Sequence, residues 1–313
     1  MRILATTWYH ESLAADPFPA GKRGPRRALR LWRAARDYDV LVTTEGQEGV
    51  RGLLVLLALF AWRKPARLVL LEFLPGSRVS GRGRLVLAGY GLLLRRAVSA
   101  VQVLSSWERE YYRSLYRLSS EQISFVAWPL VSESLKPANP VPHVQRSRVL
   151  ASGRNACDWP TLLAAAARSD WPLTVVCSRA DEGEVRRLAA AGTDIRCEIP
   201  GDEYERLVAD AAVYVLCLRE NMLSSGHIRL MAAVSNYTPV VASNVIGLLD
   251  YQRGVAAFVL PGDVGALADA VDRQLAAPQV REAGAAEAVG NSSSYRWADY
   301  LAAVRGLVES VPR

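Results

Sequence analysis

Short apolar runs alternate with longer amphipathic stretches along most of the chain, and this alternation limits the folds open to it. Strands are expected at 2–7, 40–43, 67–72, 100–104 and 123–126, with helices at 27–35, 50–62, 84–96 and 107–118 between them. A helix between successive strands allows those strands to pair in parallel, with helices covering both faces of the sheet. In such a sheet ligands bind beyond the carboxyl ends of the strands. Those ends carry His10, Glu11, Glu45, Glu72 and Ser105.

Pro137, Pro140 and Pro142 then interrupt the pattern, as a linker would. The alternation resumes with strands at 149–152, 173–177, 194–197, 213–218 and 240–242, and helices at 160–168, 182–191, 203–211 and 264–276. A chain of 313 residues is also too long for one ordinary core. The expectation is an α/β protein of two Rossmann-like, doubly wound domains facing across a cleft, the cleft being the default site. The first domain would span 1–136 and the second 137–292, with 293–313 forming a helix that crosses back to the first.

The net charge of +7 is unevenly spread. Residues 1–130 hold 20 Lys and Arg against 10 Asp and Glu, a net +10, so residues 131–313 carry −3. A basic half suits an anionic membrane surface, an acidic substrate or nucleic acid, and a bias toward Arg codons would produce it too. Nucleic acid is disfavoured, because only Trp32 and Trp62 are interleaved with the arginines and no reading motif appears. The apolar runs 53–62 and 85–94 are each about half the roughly 20 residues a spanning helix needs. Both are bracketed by basic residues, so they read as buried helices or as helices dipping into an anionic bilayer face. The apolar run after Arg2 is broken by His10 and Glu11, so no signal peptide is expected.

Cys157, Cys177, Cys197 and Cys217 recur every 20 residues, but no pair has the close spacing of a zinc knuckle. The period is about one strand plus one helix, so reduced core thiols in a cytosolic protein are expected, and no metal.

The most informative stretch is 219–251. A polar Ser224-Ser225-Gly226 lead-in precedes a helix with apolar residues at Ile228, Met231, Ala232 and Val234, followed by a turn at 236–239 and a strand. Free N–H groups at Ser225, Gly226 and His227, aligned with the helix dipole, make a ready phosphate site.

In their order along the chain these motifs resemble the retaining family-four glycosyltransferases of GT-B fold, in particular the short bacterial members. The residues that carry the resemblance are Ala151-Ser152-Gly153-Arg154, Thr238 to Ser243 with Gly247 and Asp250, Val101 to Glu108 with Val126 to Leu130, and Ser294-Tyr295-Arg296-Trp297. The resemblance implies donor contacts from Gly153, Arg154, Glu198, Pro200, Ser224, Ser225, Gly226, His227 and Asp250. It also gives Arg154 a catalytic role in neutralising the departing diphosphate. By their place at strand ends His10, Glu11 and Ser105 are acceptor-side candidates, and Glu45 and Glu72 are catalytic candidates for orienting or deprotonating an acceptor hydroxyl, with salt bridges to Arg as the alternative for both carboxylates. The chain departs from the family pattern in having no Lys between residues 155 and 178. Ser224 and Ala232 stand where the family carries two carboxylates, and Glu72 stands where it often has His.

The implied function is transfer of a sugar, with retention, from a nucleotide diphosphate sugar to an acceptor hydroxyl on a lipid-linked, glycan or secondary-metabolite acceptor. No cofactor or metal is expected beyond this co-substrate. The expected location is the cytoplasm, with peripheral contact at the inner face of the membrane. Two alternatives stand beside this reading: a glycosyltransferase-like protein that binds without transferring, and a sugar-nucleotide epimerase on the same fold.

Overall fold

A computed structural model describes residues 1–7, 10–75, 84–130, 142, 145–221 and 223–311, with backbone alone for 84 and 85. Two compact units result, one of Met1–Ala127 with Ala298–Arg313, the other of Trp128–Trp297.

The first unit is built from β1 (Ile3–Ala5), β2 (Asp16–Pro17), α1 (Pro25–Ala34), β3 (Val40–Thr44), α2 (Glu45–Trp62), β4 (Arg67–Leu71), α3 (Arg84–Ala97), β5 (Val98–Val103), α4 (Ser106–Tyr116) and β6 (Ile123–Phe125). Its strands are all parallel, in the order β2-β1-β3-β4-β5-β6. β3 is buried along its whole length and β4 from Leu68 onward, which explains apolar runs without alternation: helices cover both faces. Because β2 and β3 leave β1 on opposite sides, the carboxyl ends of β1 and β3 flank the switch point of this sheet.

α2 starts directly at the end of β3. The Thr44 hydroxyl accepts from the Gln47 N–H at 3.2 Å, capping the first turn. Gly49 then breaks the helix at φ 70, a conformation that costs glycine little. Beyond it Leu53, Leu56, Leu57 and Phe60 are buried, whereas Val50, Leu54 and Trp62 form an exposed stripe on the opposite side. Among the described residues no helix is long and apolar enough to cross a membrane.

The second unit contains β7 (Val149–Gly153), α5 (Trp159–Ser169), β8 (Leu173–Cys177), α6 (Glu182–Leu188), β9 (Asp194–Cys197), α7 (Gly201–Asp210), β10 (Val213–Leu216), α8 (His227–Ser235), β11 (Val240–Ser243), β12 (Ala257–Val259), α9 (Val264–Ala276) and α10 (Pro278–Asn291). Its sheet is again parallel, ordered β12-β11-β10-β7-β8-β9, so the switch point lies between β7 and β10. Trp159, Leu162, Leu163, Val175, Val185, Val213, Val215, Leu267 and Val271 share its core. After α10 the chain rejoins the first unit through α11 (Trp297–Glu309), where Arg305 donates to the Ser12 carbonyl and Arg67 to that of Val311.

Most departures from the sequence reading have local causes. β2 and β12 are too short to leave a periodic signal. α10 is rich in alanine and buries only Arg281 and Ala285, so it shows little apolar stripe. α6 stops at Leu188 and β10 at Leu216, short of the expected ends. Ile228, expected on the apolar side of α8, is exposed, while Leu230 and Ala233 join Met231, Ala232 and Val234 inside. Pro137 and Pro140 lie outside the described residues. All four cysteines are free, with Cys157, Cys177 and Cys217 buried. Burial lifts the thiols of Cys177 to about 11 and Cys217 to about 12, which keeps them protonated. No metal-ligating cluster occurs among the described residues.

One buried amide positions an edge of the first sheet. Gln102 accepts from the Glu72 N–H at 2.6 Å and donates to the Val126 carbonyl at 3.1 Å, tying the exits of β4 and β6 to β5. Gln102→Leu would leave both backbone groups unpaired, and it should lower stability by roughly 1–3 kcal/mol in chemical denaturation. An unchanged midpoint would contradict this role.

Candidate active site

On the first unit, the candidate residues gather where parallel topology puts the strand ends. His10 follows β1, Glu45 follows β3, Glu72 follows β4 and Ser105 follows β5. His10 Nδ1 lies 3.2 Å from the Thr7 carbonyl, and Glu11 is exposed in a short 3-10 turn. Ser105 is fully buried and accepts from the Glu108 N–H at 3.1 Å, so it serves as the cap of α4. Glu72 is partly buried with φ 49, a left-handed conformation unusual for a side-chain-bearing residue.

Glu45 differs from these three. Its Oε2 is buried and has no hydrogen-bond partner, and burial raises its carboxyl to about 7. The rings of Tyr90, Tyr112 and Tyr116 lie close enough to feel its charge. Glu48, one turn on, is fully buried and burial raises its carboxyl too, but Arg27 at 3.4 Å and a hydrogen bond from Thr43 at 3.2 Å oppose that rise. One carboxylate therefore belongs to a structural pair, while the other can take up or release a proton near neutral pH.

On the second unit, the loops leaving β7 and β10 are laced together across the switch point. Cys157 bridges Leu218, the Asp158 N–H donates to the Cys217 carbonyl at 2.9 Å, and the Arg219 N–H donates to that of Ala156 at 2.8 Å. From there the chain runs through Ser224 and Ser225, both buried, to Gly226 at the start of α8. Asn221 Nδ2 donates to Ser225 Oγ at 2.9 Å, which fixes the loop. Gly226 has φ 87, and a Cβ there would meet Leu218 Cδ1 at 2.9 Å, so only glycine fits. Gly247 packs its α-carbon against the backbone of Leu223 and Ser224, again leaving no room for a side chain.

Arg154 is exposed at the turn after β7, with no carboxylate within 4.0 Å among the described residues. His227 is buried, both its ring nitrogens lack partners, and burial lowers it to about 3, so the ring is neutral. It stacks on Tyr251 at 5.5 Å, which in turn stacks on Tyr295 at 5.8 Å. Asp250 is partly buried in the 3-10 turn Ile246–Gly254, and its carbonyl accepts from the Tyr295 hydroxyl at 2.6 Å. Glu198 and Pro200 lie one strand further out, past β8 at the end of β9. Glu198 is exposed, has φ 50 and pairs with Arg179 at 3.9 Å.

Sequence reasoning passed over Arg229. Partly buried on the first turn of α8, it donates to the Ser152 carbonyl and lies 3.6 Å from Cys157 Sγ. The available signal was its isolation: it is the only Lys, Arg, Asp or Glu between residues 221 and 249.

Residues 156–277 match the profile of the family described as "Glycosyl transferases group 1". These residues are a group 1 glycosyltransferase domain. The glycosyltransferase fold extends over the whole chain. HepE of Anabaena, solved in complex with UDP, is similar at 14% identity and a TM-score of 0.73, with 99% of this chain and 100% of that one covered. A second HepE structure, in complex with UDP-glucose, gives 13% identity and 0.71 over 98% and 90%. WaaG, a glycosyltransferase involved in lipopolysaccharide biosynthesis, gives 13% and 0.62 over 99% and 100%. At these identities the likeness concerns the fold, which is GT-B: two six-stranded parallel sheets, each with alternating helices. A search of curated proteins found no match.

The perturbed carboxyl on the first unit has a measurable consequence. Burial raises Glu45 from its ordinary 4.5 to about 7, so the stability tied to its neutral form is complete below 4.5 and lost as pH rises through 7. Glu45→Gln keeps the neutral shape. It should melt with the parent protein near pH 4.5 and above it near pH 8. Equal melting temperatures at the higher pH would contradict an unpaired, buried carboxylate.

Proposed function

We propose that this glycosyltransferase moves a sugar from a uridine diphosphate sugar to an acceptor hydroxyl, with retention at the anomeric carbon. The observation that carries the donor half is the start of α8. Gly226 opens that helix toward the turn Gly153-Arg154, across the switch point where phosphates bind in doubly wound sheets. The complexes of HepE with UDP and UDP-glucose support the choice of donor.

In this reading the bond between the sugar's anomeric carbon and the diphosphate oxygen breaks, and its electron pair stays on the diphosphate. Arg154 and the N–H groups of Ser225, Gly226 and His227 stabilise that charge. The acceptor oxygen bonds to the anomeric carbon, and its proton passes to a carboxylate. Glu45 is better suited than Glu72, because its pKa is poised near neutrality. Asp250 is assigned to a ribose or sugar hydroxyl, and Glu198 with Pro200 to the base. His10 and Glu11 belong to the acceptor side, whereas Ser105, fully buried as the cap of α4, is withdrawn from it. The guanidinium and backbone donors provide the counter-charge, so we expect no metal requirement.

The binding-only reading draws on Ser224 and Ala232, which stand where the resemblance implies carboxylates. Turnover decides between them. The protein should release UDP from UDP-glucose or a related donor, and Arg154→Ala should cut kcat by about 100-fold. UDP binding without turnover in the parent protein would favour the binding-only reading, conversion of the donor sugar without an acceptor would favour an epimerase, and no nucleotide binding would refute all three.

For the acceptor, we propose a lipid-linked molecule met at an anionic bilayer on the cytoplasmic face. The support is the exposed stripe Val50, Leu54 and Trp62 on α2, bordered by exposed Arg51, Arg63 and Lys64. Sedimentation with vesicles containing phosphatidylserine should fall on Trp62→Ser and on raising salt, while vesicles of phosphatidylcholine alone should bind little. Equal binding of the parent and Trp62→Ser would refute this surface.

A further inference from the structure

We propose that Arg229 is a second cation for the donor's diphosphate, reaching it from beneath the Gly153-Arg154 turn. The inference rests on the reading that a nucleoside diphosphate occupies the loop ahead of α8.

Three observations place Arg229 there. Its guanidinium donates to the carbonyl of Ser152, at the carboxyl end of β7, and approaches Cys157 Sγ at 3.6 Å. A Cβ on Gly153 would collide with that guanidinium and with the Cys157 sulfur, so the glycine keeps open the space that Arg229 fills. The residue also stands on the first turn of α8, three positions after the Gly226 cap.

In the free protein its charge is met by the Ser152 carbonyl and by polarisable groups, Cys157, Tyr204 and Tyr214, and not by an acid. A cation in a helix's first turn opposes the positive end of the dipole, and α8 has no acidic residue there to offset it. Among the described residues no carboxylate lies within 4.0 Å of Arg229. Three acids of the same unit are engaged elsewhere: Asp158 with Arg219 at 3.7 Å, Glu220 with the Ile246 N–H at 3.0 Å, and Glu205 with Asn236 at 3.2 Å. The guanidinium therefore stays charged with no carboxylate to neutralise it. Beside it His227, neutral and more than nine-tenths buried, keeps both ring nitrogens without partners. An anion at the α8 N-terminus would satisfy the dipole, the guanidinium and an imidazole N–H together. Arg154 approaches from the exposed side of the same turn, so a diphosphate would be held between two guanidinium groups.

Calorimetry with UDP and with uridine, on the parent protein, Arg229→Met and Arg229→Lys, tests this assignment. Arg229→Met should weaken UDP binding by roughly 10- to 100-fold, the loss of a charged hydrogen bond. Uridine binding should stay unchanged, and Arg229→Lys should recover part of the loss. Ligand-free Arg229→Met also loses the bond to the Ser152 carbonyl, so its melting temperature is recorded and binding is measured where the variant is fully folded. Parent-like UDP binding by Arg229→Met overturns the proposal and leaves the donor reading intact. Equal losses for UDP and uridine with a lowered melting temperature show a merely structural residue, and also overturn it. A parent protein that binds no UDP refutes the donor reading and this proposal with it. Should Arg229→Met fail to fold, a structure of the parent with UDP decides: the guanidinium within about 3 Å of a phosphate oxygen supports the assignment, and a gap of about 6 Å or more overturns it.

Discussion

Parallel pairing is the constraint on which the rest of the structure depends. When every strand of a sheet runs the same way, all carboxyl ends fall on one edge, and every loop that leaves them starts there. Residues far apart in sequence are thereby collected without any long-range pairing between side chains. In the second unit this brings the turn after β7 against the segment after β10, although some 60 residues separate them, and backbone hydrogen bonds from Asp158 and Arg219 close the gap. In the first unit the same rule lines up His10, Glu45, Glu72 and Ser105.

Glycines make that close approach possible. Gly153, Gly226 and Gly247 each sit where a Cβ would meet a neighbouring group, and together they let the β7 turn, the α8 start and the segment after β11 approach one another. The charges around them are unbalanced toward cations. Arg154 and Arg229 border the turn after β7, and the domain carries no Lys between residues 155 and 178 and no acid at 224 or 232. With Glu220 held by the Ile246 N–H and Asp158 by Arg219, the guanidinium groups bordering this loop suit an anionic ligand.

Much of the fold was legible in the sequence, because both sheets are buried on their two faces and their strands are nearly unbroken apolar runs. Elements without such runs were not legible. β12 is three residues long, α10 is rich in Ala and Gly, and the 3-10 turn that carries Asp250 and Tyr251 has no helical period. The candidate site was readable where backbone chemistry defines it, at Gly226 and at the Gly153-Arg154 turn. It was not readable where tertiary packing decides a side chain's state. Nothing local distinguishes Glu45, left without a hydrogen-bond partner at Oε2, from Glu48, paired with Arg27, or reveals that His227 is walled in by Tyr251. Arg229 was passed over for the related reason that its reach to Ser152 spans 77 residues of sequence.

The central claim is that backbone N–H groups at the start of α8 hold the donor's diphosphate. Amide hydrogen exchange with and without saturating UDP tests it directly. Exchange should slow in the peptides covering Ser224–Arg229 and the turn at Gly153-Arg154, while α1, which holds no residue assigned to the donor, stays unchanged. Binding of UDP with no added protection at Ser224–Arg229 would contradict the account.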